Sequence, residues 1–208
     1  MAANIAALRS RLRTDLADPA AERWTDDELD RHIQHATRDL NRAVPRELVD
    51  ATLAISNPPC RELDISCLTD LIKVVTVEYP VDGYPRRLRR FELWGSTLSL
   101  LMDHMPEANA PVTIYYTARH TVDANTCTVA PYLEDMVLLG AAGYALLGFL
   151  AATHDRVTVG DGRTAQELRT HASDLLMQFR QDLMSIKRER QPVLVGGAST
   201  YTAALHLM

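Results

Sequence analysis

The chain has 208 residues, 47% of them hydrophobic and 24% charged, with a formal net charge of −5. That length can bury a real core in one compact domain or two small ones, and the composition is that of a soluble globular protein. The acidic balance argues against a general nucleic-acid binder, whose surface carries basic excess, without excluding a local basic patch.

The N-terminal stretch MAANIAALRSRLRTDL lacks the apolar region and cleavage site of a secretory leader. Ile5, Leu8, Leu12 and Leu16 fall at helical spacing, with Arg9, Arg11 and Arg13 off that stripe. This predicts an amphipathic helix over residues 4–17. The Arg-rich look is also that of a transit peptide, but Asp15 and the clean period favour an ordinary first helix. Asp18-Pro19 ends it. In WTDDELDRHIQHATRDLNRAVP, Thr25 and Glu28 form a capping box, with Asp26 and Asp27 beside them, and Pro45 stops the helix. A second helix is expected over 25–44, buried along Leu29, Ile33, Ala36, Leu40 and Ala43. Trp24, just before the cap, is placed to staple onto its first turns.

From about Val49 the period becomes that of strands. Residues 51–55, 62–65, 71–79, 86–94, 97–102 and 112–118 read as extended, with a turn at Pro80-Val81-Asp82-Gly83 and a hairpin at Gly95-Ser96. A small antiparallel sheet inserted over about 49–118 is expected.

Residues 131–153 contain the longest apolar run. Pro131 suits a first helical position, and Glu134 and Asp135 suit the dipole of the first turn. From Met136 to Thr153 there are 18 residues without a charge. A helix apolar all round is buried in a core or in a membrane. Gly140, Gly143 and Gly148 dilute the hydrophobicity, and no Lys/Arg cluster flanks the run closely enough to orient a span. The expectation is a central core helix, with Gly140, Ala141, Gly143 and Ala145 letting neighbours approach, and no membrane. A loop over 155–162 leads to a helix over 163–190, buried along Leu168, Ala172, Leu175, Leu176, Phe179, Leu183 and Ile186. Its end carries Lys187, Arg188 and Arg190, cations suited to a helix C-terminus.

The last segment, residues 191–208, contains no Asp, Glu, Lys or Arg, yet holds Val193, Leu194, Val195, Tyr201, Leu205 and Leu207. Disordered tails are usually charged and apolar-poor. A strap folded back on its own domain is one reading. An arm docking on another chain by strand addition or groove filling is the favoured one.

Chemistry-bearing clusters are sparse. Glu28, His32 and His35 stand at i, i+4 and i+7 and can share a helix face, but His171 is alone on its helix and no further ligand is evident, so a solvated polar face is expected and no metal. His154-Asp155 lacks a nucleophile motif to go with it, and a helix cap is its expected role. Gly160-Asp161-Gly162 has neither a P-loop nor a dinucleotide pattern. Cys60, Cys67 and Cys127 are an odd count with no CxxC pair, so free thiols in a reducing compartment are expected. No cofactor and no catalytic set is expected. The sharpest basic cluster is Arg86, Arg87, Arg89 and Arg90. Alternation along a strand would put Arg87 and Arg89 on one face and Arg86, Leu88 and Arg90 on the other. With Phe91 and Trp94 nearby it suits nucleic-acid contact, and equally intersubunit ion pairing or a charge-protected edge.

The succession WTDDELDRHIQHATRDL, VVTVEYP, VTIYYTARH and LEDMVLLGAAGYALLGFLA resembles the head-tail adaptor (connector) proteins of tailed bacteriophages, over about residues 20–190. The resemblance implies an α+β fold: a helical bundle of about four helices with an inserted small antiparallel sheet and an extended C-terminal arm. It implies a structural protein of the virion neck, made in the host cytoplasm. Its copies would form a dodecameric ring between the portal and the tail or stopper proteins, with double-stranded DNA passing through. Residues 1–190 would be one domain and 191–208 the arm on the portal. A stopper or tail-completion protein is a rival within the class. A nucleic-acid-binding regulator using the Arg86–Arg90 strand is a rival outside it.

Overall fold

The computed structural model describes residues 4–152 and 165–190. Among these, four helices and a six-stranded antiparallel sheet make an α+β fold.

Helix α1 (Ile5–Asp15) is capped by Asn4, whose side chain accepts from the Ala7 N–H at 2.9 Å. Helix α2 (Asp26–Ala43) begins in the expected capping box: Thr25 Oγ1 accepts from the Glu28 N–H, and the Glu28 carboxylate accepts from the Thr25 N–H at 2.8 Å. Helix α3 (Pro131–Ala152) packs against α1, α2 and α4 (Ala165–Glu189). One core joins them, with Leu8, Leu12, Leu29, Ile33, Leu133, Val137, Ala141 and Phe179 removed from solvent. By length and composition α3 is apolar enough to cross a membrane, yet 56% of its most apolar window is buried inside the protein.

The contact of α3 with α4 depends on missing side chains. A Cβ on Gly140 would lie 2.8 Å from the Phe179 ring, and one on Gly143 would lie 2.7 Å from Leu176 Cγ. Glycine at both places lets two bulky residues of α4 reach the α3 backbone. Of the adjacent leucines on α4, Leu176 is buried, while Leu175, expected in the same stripe, is only half-buried. Trp24 also differs from expectation. It is buried with its indole N–H donating to Ala145 O of α3 at 3.3 Å and its ring tilted against Phe149 at 5.4 Å.

The arginines of α1 are ionic fasteners. Arg9 pairs with Asp26 and Asp30, Arg11 with Glu134 and Asp135 of α3, and Arg13 with Asp18 and Asp26. Asp18 is buried and also accepts from the N–H groups of Glu22, Arg23 and Trp24, which shapes the turn between α1 and α2.

The strands lie between α2 and α3: β1 (Arg46–Asp50), β2 (Glu62–Asp64), β3 (Leu71–Glu78), β4 (Leu88–Trp94), β5 (Thr97–Leu101) and β6 (Thr113–Ala118), in the order β1-β6-β3-β4-β5-β2. The first strand starts at Arg46, earlier than expected, and Ala54 makes only an isolated bridge to Pro111. Strand β4 is shared. Leu88 and Arg89 pair with β3, whereas Arg90–Trp94 pair with β5. The sheet therefore curls about its own core of Val74, Val77, Leu98, Leu100, Val112 and Ile114. The β4–β5 hairpin has the expected two-residue turn, with Gly95 at φ 59°, a left-handed conformation that glycine adopts without strain.

Helices and sheet meet at the end of α2. The Asn41 carboxamide bonds both backbone groups of His120, just beyond β6. The buried His120 ring lies between Val44 O and Thr128 O, and Arg190 donates to Pro45 O at 3.4 Å.

Candidate functional site

The basic run at residues 86–90 divides into two kinds of arginine. Strand β4 begins at Leu88, so Arg86 and Arg87 precede it and the expected strand alternation does not hold for them. Arg86 donates to the Tyr115 hydroxyl at 3.0 Å, lies over that ring at 5.8 Å, and stands 3.9 Å from the Glu78 carboxylate. Glu78 is buried, accepts from Tyr115 at 2.9 Å, and takes its counter-charge from Arg86. The Tyr115 phenol is raised above its ordinary pKa, chiefly by that hydrogen bond to Glu78. Arg89 donates to Tyr79 O at 2.7 Å. Arg86 and Arg89 thus hold the fold, whereas Arg87 and Arg90 are exposed and make no side-chain hydrogen bond or ion pair among the described residues. Trp94, 89% exposed, ends the same strand at the hairpin tip.

The Glu28, His32 and His35 face does not converge. Glu28 is consumed by the capping box, whose bonds from Thr25 hold its carboxyl below the ordinary range. His32 leans on Gly148, and burial, with Arg31 and His35 nearby, lowers its pKa. His35 stacks on Tyr144 of α3 at 3.9 Å, with an 11° interplanar angle. Among the described residues no group of three or more His, Cys, Asp or Glu is placed to hold a metal ion.

That stack floors a groove of about 660 Å³ between α2, α3 and α4. The Tyr144 hydroxyl donates to Asp39, which also pairs with Arg42 at 3.1 Å. Burial and the bond to Asp39 push the phenol up to about 12, while Arg180 on the same groove pulls the other way. A phenol at that value is a hydrogen-bond donor across the physiological range and not a base. Arg42, Arg180 and Lys187 make the groove basic. Sequence reading missed it because its residues come from three helices far apart in the chain. The one local signal was a tyrosine inside an otherwise apolar run.

The arm residues Val193, Leu194, Val195, Tyr201, Leu205 and Leu207 lie outside the described residues, as do His154-Asp155 and Gly160-Asp161-Gly162. The three cysteines are free thiols.

No protein-family model matches the chain, and no curated protein matches it.

Proposed function

We propose that the protein is a structural subunit of a tailed-phage neck. In this reading the four helices form a bundle, copies assemble into a ring, a dodecamer in the family the chain resembles, and the ring joins the portal to the tail or stopper proteins around the DNA channel. The segment from Gln191 is an arm on the portal. The observation that supports it best is the layout: a capped α2, then a curled sheet with a core of its own, then an apolar α3 packed by the other three helices. That order is the one on which the resemblance to head-tail adaptor proteins rests. Chemically, the molecule presents faces: a basic groove, an exposed aromatic at a hairpin tip, and charged flanks on α4.

The test is truncation before Gln191. The shortened chain is expected to melt at nearly the same temperature and to lose attachment to portal-containing heads. A truncated protein that melts much earlier, or that still binds heads normally, overturns the arm. The free cations Arg87 and Arg90 support a second reading, a DNA-binding regulator. Such a protein would bind as a monomer or dimer with sequence preference, where a neck subunit shows weak, salt-sensitive contact without it.

A further inference from the structure

Helix α4 is segregated by charge around its axis. At about 100° per residue, Arg180, Met184 and Lys187 fall within roughly 60° of one another, and Asp182 lies on the far flank. The buried stripe of Leu176, Phe179 and Leu183 runs between the two sets. The first flank opens on the basic groove floored by Tyr144, where Asp39 is already satisfied by Arg42 and Tyr144, leaving Arg180 and Lys187 in excess. Met184 and Met177 beside it are 56% and 54% exposed. The second flank opens on another groove, about 460 Å³, between α4 and the start of α3. Its lining carries Asp182 and Asp135 and no Lys or Arg; Tyr132, 65% exposed at its rim, accepts through its hydroxyl from Arg190, just past the end of α4. Asp135 is shared with Arg11 of α1, so Asp182 supplies the uncommitted charge.

Helix α4 thus borders a basic groove with exposed thioethers on one flank and a groove lined by two aspartates, with Tyr132 at its rim, on the other. Two such surfaces on different sides of one molecule complement each other between copies and not within one. We propose that the basic Arg180–Lys187 flank of one copy docks on the acidic Asp182 flank of the next, a head-to-tail contact of the heterologous kind that closes rings. The methionines, adaptable in shape, fill against the apolar rim around Tyr132, while the charges set register and suppress the like-with-like pairing of two basic or two acidic flanks. This inference rests on the ring reading above and assigns its interface.

The test uses the full chain, followed by native mass spectrometry and sedimentation over a range of salt. R180E/K187E and D182K are expected each to weaken self-association by about tenfold or more, since like charges then face each other. Arg180 and Lys187 are exposed and Asp182 is half-buried, and a circular-dichroism melt checks that each variant folds. Mixing the two in equal amounts should restore association, because every contact then pairs opposite charges. Rings that form normally in both variants would overturn the flank pairing and leave the neck reading standing. A wild-type chain that stays monomeric would overturn the pairing, with head attachment deciding the neck reading separately. A double-stranded DNA shift abolished by R180E/K187E while self-association persists would assign the basic groove to DNA and also overturn the proposal.

Discussion

The carboxamide of Asn41 grips the backbone of His120 at both ends: its Nδ2 donates to His120 O at 3.0 Å, and its Oδ1 accepts from the His120 N–H at 2.6 Å. Asn41 stands near the end of α2, and His120 lies just after β6, the central partner of β1 and β3. One side chain therefore ties the helices to the sheet. Asn41→Ala should cost on the order of 1–3 kcal/mol, the price of leaving a part-buried donor and acceptor unpaired. Asn41→Asp keeps the acceptor and should cost less. Urea midpoints measure both, and an unchanged midpoint for the alanine variant would show that the joint is held elsewhere.

Stability should fall on mild acidification. Nδ1 of the buried His120 lies 3.2 Å from Thr128 O and Nε2 3.0 Å from Val44 O. Carbonyls only accept, so a neutral ring donates to one and turns a lone pair to the other. Burial depresses the His120 pKa, with Arg46 and Arg190 adding to it, against the pull of the two carbonyls; burial depresses that of His32 as well. Both folded values lie below the unfolded value of about 6.5, so the unfolded chain binds more protons in between. The contribution is fully present above the unfolded value and is lost as pH falls below it. The urea midpoint should be lower at about pH 5.5 than at about pH 7.5, and His120→Gln should flatten the difference. A midpoint that rises on acidification would reverse the sign argued for both histidines.

Neighbouring leucines of α4 should behave differently. Leu176 is buried against Gly143, and Leu175 is half-buried. Leu176→Ala should cost about 2–5 kcal/mol and Leu175→Ala clearly less. Equal losses in a thermal melt would mean that α4 is rotated from the orientation described.

Gly143→Ala sets two effects against each other. Alanine gains up to about 1 kcal/mol in helix propensity. Its Cβ would meet Leu176 Cγ at 2.7 Å and Ala172 O at 3.3 Å, an overpacking that costs about 1–3 kcal/mol. The backbone oxygen cannot swing aside as a side-chain tip can, so a net loss of stability is expected. A stabilised variant would mean that α4 shifts freely away from α3.

The arginines of the 86–90 run should separate in a melt. Arg86→Ala removes a hydrogen bond to Tyr115 and the cation beside buried Glu78. Arg86 is itself largely exposed, so the cost should be on the order of 1 kcal/mol. Arg87→Ala and Arg90→Ala should stay within about 0.5 kcal/mol of wild type. Comparable losses at all of these positions would show that none of them is a free surface cation.

Much of this architecture is local and was therefore legible in the chain. Thr25 with Glu28 marks the start of α2, Pro131 the start of α3, and Gly95-Ser96 the β4–β5 turn, because caps and tight turns depend on backbone groups a few residues away. The shift from helical to alternating period also located the sheet between α2 and α3. Which side of a half-apolar stripe faces inward was not local: Leu176 is buried and Leu175 is not, because the vacant Cβ positions of Gly140 and Gly143 set how α4 seats on α3. The same limit applies to charge. Arg86 and Arg87 are adjacent and chemically identical, yet only Arg86 meets Glu78 and Tyr115, residues brought to it by the pairing of β3 with β6. The basic groove on His35 and Tyr144 exists only once α2, α3 and α4 are packed. Periodicity records what each segment buries, and tertiary packing alone decides which segments share a surface.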